Sequence, residues 1–134
     1  MYCTQADLES RFGINEILQL TDKNNTGVVN TTTLAAALAD ANAEINSYLN
    51  NYLPLQSVPP NLVRLACVIA RKYLYGALVP DVVQEDYNEA KRFLALVAAG
   101  KLSLAPDAAG VTEVQVDNVV QFSNGQSVFG RDAY

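Results

Sequence analysis

Between Thr31 and Tyr52 the apolar residues recur three or four apart: Leu34, Leu38, Ala41, Ile45, Tyr48, Leu49 and Tyr52. That spacing is the repeat of one helix face, and no other stretch of the chain is as long and as regular. It predicts a central helix over 32–52, capped by Thr31 or Thr32. Pro54 ends it, because a proline biases the residue before it away from helix. The alanines at 35, 36, 37, 39 and 43 favour helix and permit close packing. A second helix is predicted over 60–75, with Pro60 in its first turn and Leu62, Leu65, Ala66, Ile69, Tyr73 and Leu74 inward. Its stretch Leu65 to Ala70 is nearly all apolar and is expected to be the most buried element. A third runs over 81–99, with Tyr87, Ala90, Phe93, Leu94 and Val97 on its apolar face and Gly76 and Gly100 as stops on either side. Ahead of these, Thr4 caps a short helix to Phe12, Gly13 breaks it, and Ile14 to Leu20 forms another, with Ile14, Ile17 and Leu18 on one side.

Beyond Lys101 the pattern changes. Ala105 to Gly110 has the composition of a linker. Val114, Val116, Val119, Val120 and Phe122 then bring alternating, β-branched residues, so Glu113 to Phe122 is expected to form a strand. Asn124-Gly125 is a hairpin signal, with Gln126 to Phe129 pairing back. An isolated hairpin is marginal in water and needs a partner surface. The expected architecture is therefore mainly α: a small bundle of three longer helices plus short N-terminal helices over 1–100, and a linker with an extended, β-hairpin arm over 101–134.

Composition narrows the function. A chain of 134 residues fits one domain. Its net charge of −5 argues against nucleic-acid binding, which needs clustered Lys and Arg. Arg71-Lys72 and Lys91-Arg92 read as ordinary solvated faces. No apolar run reaches the length of a membrane span, and two cysteines without a signal peptide favour a reduced compartment. A soluble, cytoplasmic protein is expected. Cys67 reads as a small core residue, and Cys3 as a free thiol near a loose terminus.

The sharpest chemical motif is the loop from Asp22 to Thr33. Asp22, Asn24, Thr26 and Asn30 stand at positions one, three, five and nine of an EF-hand loop, with Gly27 at six. Thr33 stands where a bidentate glutamate should be, leaving Asp22 as the one carboxylate. A tight turn built from the same Asp, Asn and Gly chemistry is the expectation, with no metal and no cofactor. Catalytic residues are not identified either. Histidine is absent, the cysteines lack a histidine partner and CxxC spacing, and there is no Gly-rich phosphate loop. Glu85 and Asp86 read as solvated. Of the seven tyrosines, those at 48, 52, 73, 75 and 87 are expected at the core edge, each hydroxyl reaching water or a neighbour.

Several phrases in order resemble a known family: Tyr2-x-Thr4-x-x-Asp7-Leu8, Leu20-Thr21-Asp22, Ala36-x-Leu38-x-Asp40-Ala41 and Glu44-Ile45. They continue with Tyr48-Leu49, Pro54-Leu55, Val58-Pro59-x-x-Leu62, Ile69-Ala70-Arg71-x-x-Leu74-Tyr75 and Val128-Phe129-Gly130-Arg131-Asp132. Together they are similar to the small proteins of unknown function encoded in the head-and-tail gene cluster of Mu-like phages and prophages. The family's loop after Leu-Thr-Asp is often more acidic than the Asn24, Asn25 and Thr26 found here. The resemblance implies a virion morphogenesis protein, a head–tail connector (adaptor, head-completion) subunit that forms a homo-oligomeric ring below the portal. Its partners would be the portal and tail or neck proteins, with DNA passing through the channel without sequence-specific binding and no membrane involved. Its places would be the bacterial cytoplasm during assembly and then the virion neck. The alternative is a tail-completion or neck protein, or another non-enzymatic adaptor without a ring. The arm is expected to carry the assembly contacts, with Phe129 as anchor, Arg131 and Asp132 as polar contacts beside it, and Phe122; the alternative is that its strands fold back on the helices of their own subunit.

Overall fold

The computed structural model describes residues 1–104. Five α-helices follow one another: α1 (Gln5–Phe12), α2 (Ile14–Thr21), α3 (Thr31–Tyr48), α4 (Pro60–Tyr75) and α5 (Asp81–Ala98), with a 3-10 turn at Asn50–Tyr52. Among the described residues the fold is helical throughout, without strands. The expected strand and hairpin, with Phe122, Phe129, Arg131 and Asp132, lie outside the described residues.

Each boundary has a local cause. Thr4 accepts from the Asp7 amide (3.2 Å) while Asp7 accepts from the Thr4 amide (3.0 Å), closing a capping box on α1. Gly13, at φ 96°, ends α1 and opens α2. That left-handed backbone suits glycine, and it lets two short helices pack at an angle. The α3 cap is Asn30, one residue before the expected threonines. Its Oδ1 accepts from the amides of Thr32 (3.0 Å) and Thr33 (3.1 Å), and asparagine outranks threonine as a cap. Gly100, at φ 79°, completes the stop of α5: its amide bonds to the Val97 carbonyl (3.0 Å) and that of Lys101 to Leu96 (2.9 Å), the two bonds of a Schellman motif.

The central helix stops at Tyr48, short of the expected 52. Leu49 leaves helical geometry (ψ 16°), and the 3-10 turn then swings Tyr52 round so that its hydroxyl donates to the Val97 carbonyl (3.0 Å).

Packing centres on α4, which contacts the other four helices, most extensively α3. Leu65, Ala66, Cys67, Ile69 and Ala70 are each at most 1% exposed, as the apolar run in this helix predicts. Buried alanines at 37 and 41 on α3 and at 66 and 70 on α4 keep side-chain bulk low in this pair. The inward line of α3 is accordingly Leu34, Ala37, Ala41, Ile45 and Leu49, with Leu38 only half-buried. Phe93 is also half-buried, while Leu94 beside it is fully inside. On α2, Ile17 is buried but Ile14 is 59% exposed.

Cys3 corrects the expectation of a loose terminus. It is 2% exposed, and its Sγ lies 2.7 Å from that of Cys67. The segment before α1 lies against α3, with the Tyr2 amide donating to Asn42 Oδ1 (3.1 Å) and the Tyr2 hydroxyl to Asn46 Oδ1.

Candidate functional site

Helices α1 and α5 both pack on α4, and between them lies a cleft of about 480 Å³. Its floor is apolar: Leu65 and Val68 of α4, Phe12 of α1, Ala90 and Phe93 of α5. Its rim is charged, with Arg11 and Arg64 contributed by α1 and α4, and Asp86 and Glu89 by α5. Arg64 is steadied by Asn61, whose Oδ1 accepts from Nε (3.2 Å) and Nη2 (2.9 Å). Phe12 is held by the Arg71 guanidinium, which sits 4.3 Å from the ring centroid. Among the described residues the lining offers no thiol, hydroxyl or imidazole. It suits a peptide that brings an aromatic or aliphatic side chain and charges of both signs.

Two polar clasps brace the helices around this cleft. In the first, Arg71 of α4 meets Glu16 of α2 through two bonds (Nε–Oε2 2.7 Å, Nη2–Oε1 3.1 Å), and the Tyr75 hydroxyl adds a third to Glu16 (3.1 Å). The carboxylate holds the guanidinium above its ordinary pKa. In the second, Tyr73 of α4 and Tyr87 of α5 both donate to Glu44 of α3. The two rings meet edge to face, with centroids 6.3 Å apart. Lys72 and Lys91 lie over the Tyr87 ring at 4.8 and 4.6 Å. Burial pushes the phenols of Tyr73 and Tyr87 up, and Glu44 adds to the rise. Arg71 and Lys72, read from sequence as a solvated face, are therefore structural: the Arg71 side chain is only 18% exposed. Tyr52, Tyr73, Tyr75 and Tyr87 place their hydroxyls on neighbours, as expected.

The Asp22 loop is closed by its own groups. Asp22 Oδ1 accepts from the amide and hydroxyl of Thr26 (both 2.8 Å) and Oδ2 from the Gly27 amide (2.7 Å). These bonds hold the Asp22 carboxyl below its ordinary pKa, the Thr26 amide first. At the base, the buried Thr21 hydroxyl donates to the Ile17 carbonyl (2.8 Å) and accepts from the Asn30 amide (3.2 Å). Among the described residues no three His, Cys, Asp or Glu side chains are placed to hold a metal ion.

The predicted assembly residues Phe122, Phe129, Arg131 and Asp132 lie outside the described residues, and the cleft is a site that sequence reading did not find. Its one signal in the sequence is the mixing of apolar and charged residues on facing turns, Arg64-Leu65 and Val68 against Asp86, Glu89, Ala90 and Phe93.

Residues 2–122 match the model of the family described as Bacteriophage Mu, Gp36. The chain is also 31% identical over 134 residues to the Mu-like prophage FluMu protein gp36 of Haemophilus influenzae, covering 98% of this chain and 94% of that protein. Among the described residues no helix is long and apolar enough to cross a membrane.

Proposed function

The chain belongs to the Bacteriophage Mu Gp36 family, and from that premise we propose that it is a head–tail connector subunit, assembling as a homo-oligomeric ring between the portal and the tail or neck proteins. It acts by assembly and catalyses no reaction. The observation that supports this reading is the match to a Mu-phage family across residues 2–122, nearly the whole chain. The braced helical core and its two-signed cleft are consistent with it. They give a rigid body with one surface suited to receiving peptide from a neighbour.

The arm of one subunit enters the cleft of the next. The segment Val128 to Asp132 brings an aromatic ring, Phe129, followed two and three residues later by a cation and an anion. An aromatic ring suits the apolar lining of Phe12, Leu65, Val68 and Phe93, a cation suits Asp86 and Glu89, and an anion suits Arg11 or Arg64. The 30 residues after Leu104 supply ample reach. Phe122 adds a second apolar contact. The net charge of −5 suits a channel along which DNA slides without being held. The protein works in the host cytoplasm during assembly and then in the virion neck.

The test is electron microscopy of the purified chain, alone and co-expressed with the portal protein of its own phage or prophage. Closed rings, free or seated on the portal, are expected. A chain that stays monomeric at high concentration and fails to co-purify with the portal would overturn the reading.

A further inference from the structure

Cys3 and Cys67 are 64 residues apart in sequence, on a terminal segment and on the most buried helix, yet their sulfurs lie 2.7 Å apart. Both side chains are buried, at 2% and 0% exposure, and both are free thiols here. A disulfide bond is about 2.05 Å long, so a small shift of either side chain joins them. No histidine exists in the chain, and among the described residues no third metal-ligating side chain stands beside the pair. We propose that Cys3 and Cys67 form a reversible intramolecular disulfide that locks the N-terminal segment onto α4.

The route follows from what holds Cys3 in place. Residues 1–4 lie outside any helix, and the ties of Tyr2 to α3 are two hydrogen bonds at the surface edge. Lifting this short segment carries Cys3 into solvent while Cys67 stays at the opened site. A low-molecular-weight disulfide, such as oxidised glutathione, then reacts with the exposed Cys3. The Cys3 thiol loses its proton, its sulfur bonds to one glutathione sulfur, and the other glutathione leaves as a thiolate that takes up a proton. When the segment redocks, the Cys67 thiolate attacks the Cys3 sulfur and displaces the second glutathione. In sum, two protein thiols are oxidised to one disulfide by two electrons, and one glutathione disulfide is reduced to two thiols. The docked geometry favours the second step. It brings the Cys67 sulfur to the Cys3 sulfur, the two lying 2.7 Å apart in the docked thiols.

The bond closes a loop containing all of α1, α2 and α3 and the first half of α4. Cross-linking across 64 residues removes chain entropy from the unfolded state, and the melting temperature of the oxidised form is expected to rise by on the order of 10 °C. The inference does not depend on the connector reading. On that reading, though, a subunit made in a reducing cytoplasm becomes locked once the particle reaches oxidising surroundings.

The test uses the full chain, incubated with excess oxidised glutathione, then unfolded, alkylated and weighed. The expected product is two hydrogen atoms lighter than the reduced chain, takes up no alkyl group, and yields a peptide joining Cys3 to Cys67. Its melting point falls back on adding dithiothreitol. Cys67→Ala is the comparison: Cys3, without a resolving partner, should retain glutathione. Wild-type protein that keeps glutathione on Cys3 as the variant does would overturn the proposal. So would full alkylation of both thiols after oxidation, or disulfides found only between chains.

Discussion

Leu94 and Leu96 stand two positions apart on α5, and the fold assigns them opposite fates. Leu94 is 0% exposed and Leu96 41%. Leu→Ala removes the same carbons at each site, so the difference in cost measures the helix face alone. At Leu94 the lost transfer energy is about 2.4 kcal/mol, from three carbons at about 0.8 kcal/mol each. The void adds to this: about 50 Å³ left unrelaxed costs roughly 1 kcal/mol at about 24 cal/mol per Å³. Leu94→Ala should therefore destabilise by about 3–4 kcal/mol and lower the melting temperature by on the order of 15–20 °C. Leu96→Ala should stay within about 1 kcal/mol of wild type. Urea unfolding followed by circular dichroism reads both, with the midpoint shifting at constant slope. Equal losses at the two sites, or a larger one at Leu96, would mean that α5 is turned to present another face to α3 and α4.

Further outcomes follow from the polar clasps, the loop and the cleft. The phenols of Tyr73, Tyr87, Tyr75 and Tyr2 all have raised pKa values in the folded chain, so the folded state holds its protons longer; their contribution is fully present below the ordinary phenol pKa near 10 and declines as pH rises above it. Urea midpoints at pH 9 and pH 11 should show the loss, and Tyr73→Phe should flatten it; an unchanged profile in that variant removes Tyr73 as a cause. The Asp22 loop is expected to bind no calcium at physiological concentrations, since both carboxylate oxygens are already engaged and Thr33 supplies no second charge; a micromolar dissociation constant by calorimetry would contradict this. For the cleft, Glu89→Lys should weaken self-assembly measured by light scattering, and adding Arg131→Glu should restore it; additive losses in the double variant would separate the arm from the cleft.

Two helices, α4 and α5, could be read from spacing because burial on each follows one dominant periodicity. The α4 prediction at 60–75 coincides with Pro60–Tyr75, and that for α5 differs by one residue at its end. The central helix was harder for a physical reason. Its apolar repeat continues past Tyr48 into the 3-10 turn, where Leu49 and Tyr52 pack inward by a different backbone path. Periodicity registers which residues are buried and is blind to that change of path. Ala37 in place of Leu38 is a similar case, because a small residue on a crowded face carries little hydrophobic signal. Cys3 looked loose for lack of any regular pattern in four residues. What fixes it, Tyr2 on Asn42 and Asn46 and sulfur on sulfur, joins positions about forty or more apart. Glu44 is the clearest case of chemistry hidden from sequence. It appears there only as a charge beside Ile45, and its two tyrosine donors come from α4 and α5. The cleft likewise needs three helices to exist.

Three of these long-range ties share one element. Glu16–Arg71 joins α2 to α4, Glu44–Tyr73 joins α3 to α4, and Cys3–Cys67 sets the N-terminal segment on α4. The floor of the cleft is built partly from the same helix, through Leu65 and Val68. A helix held by its other neighbours on several sides has little freedom to shift when a ligand arrives, so a peptide entering the cleft spends little of its binding energy on ordering the receptor. The ordering cost falls instead on the incoming segment. Affinity should then be limited by how readily that segment adopts its bound shape, and stiffening it should tighten binding more than enlarging the cleft's apolar floor.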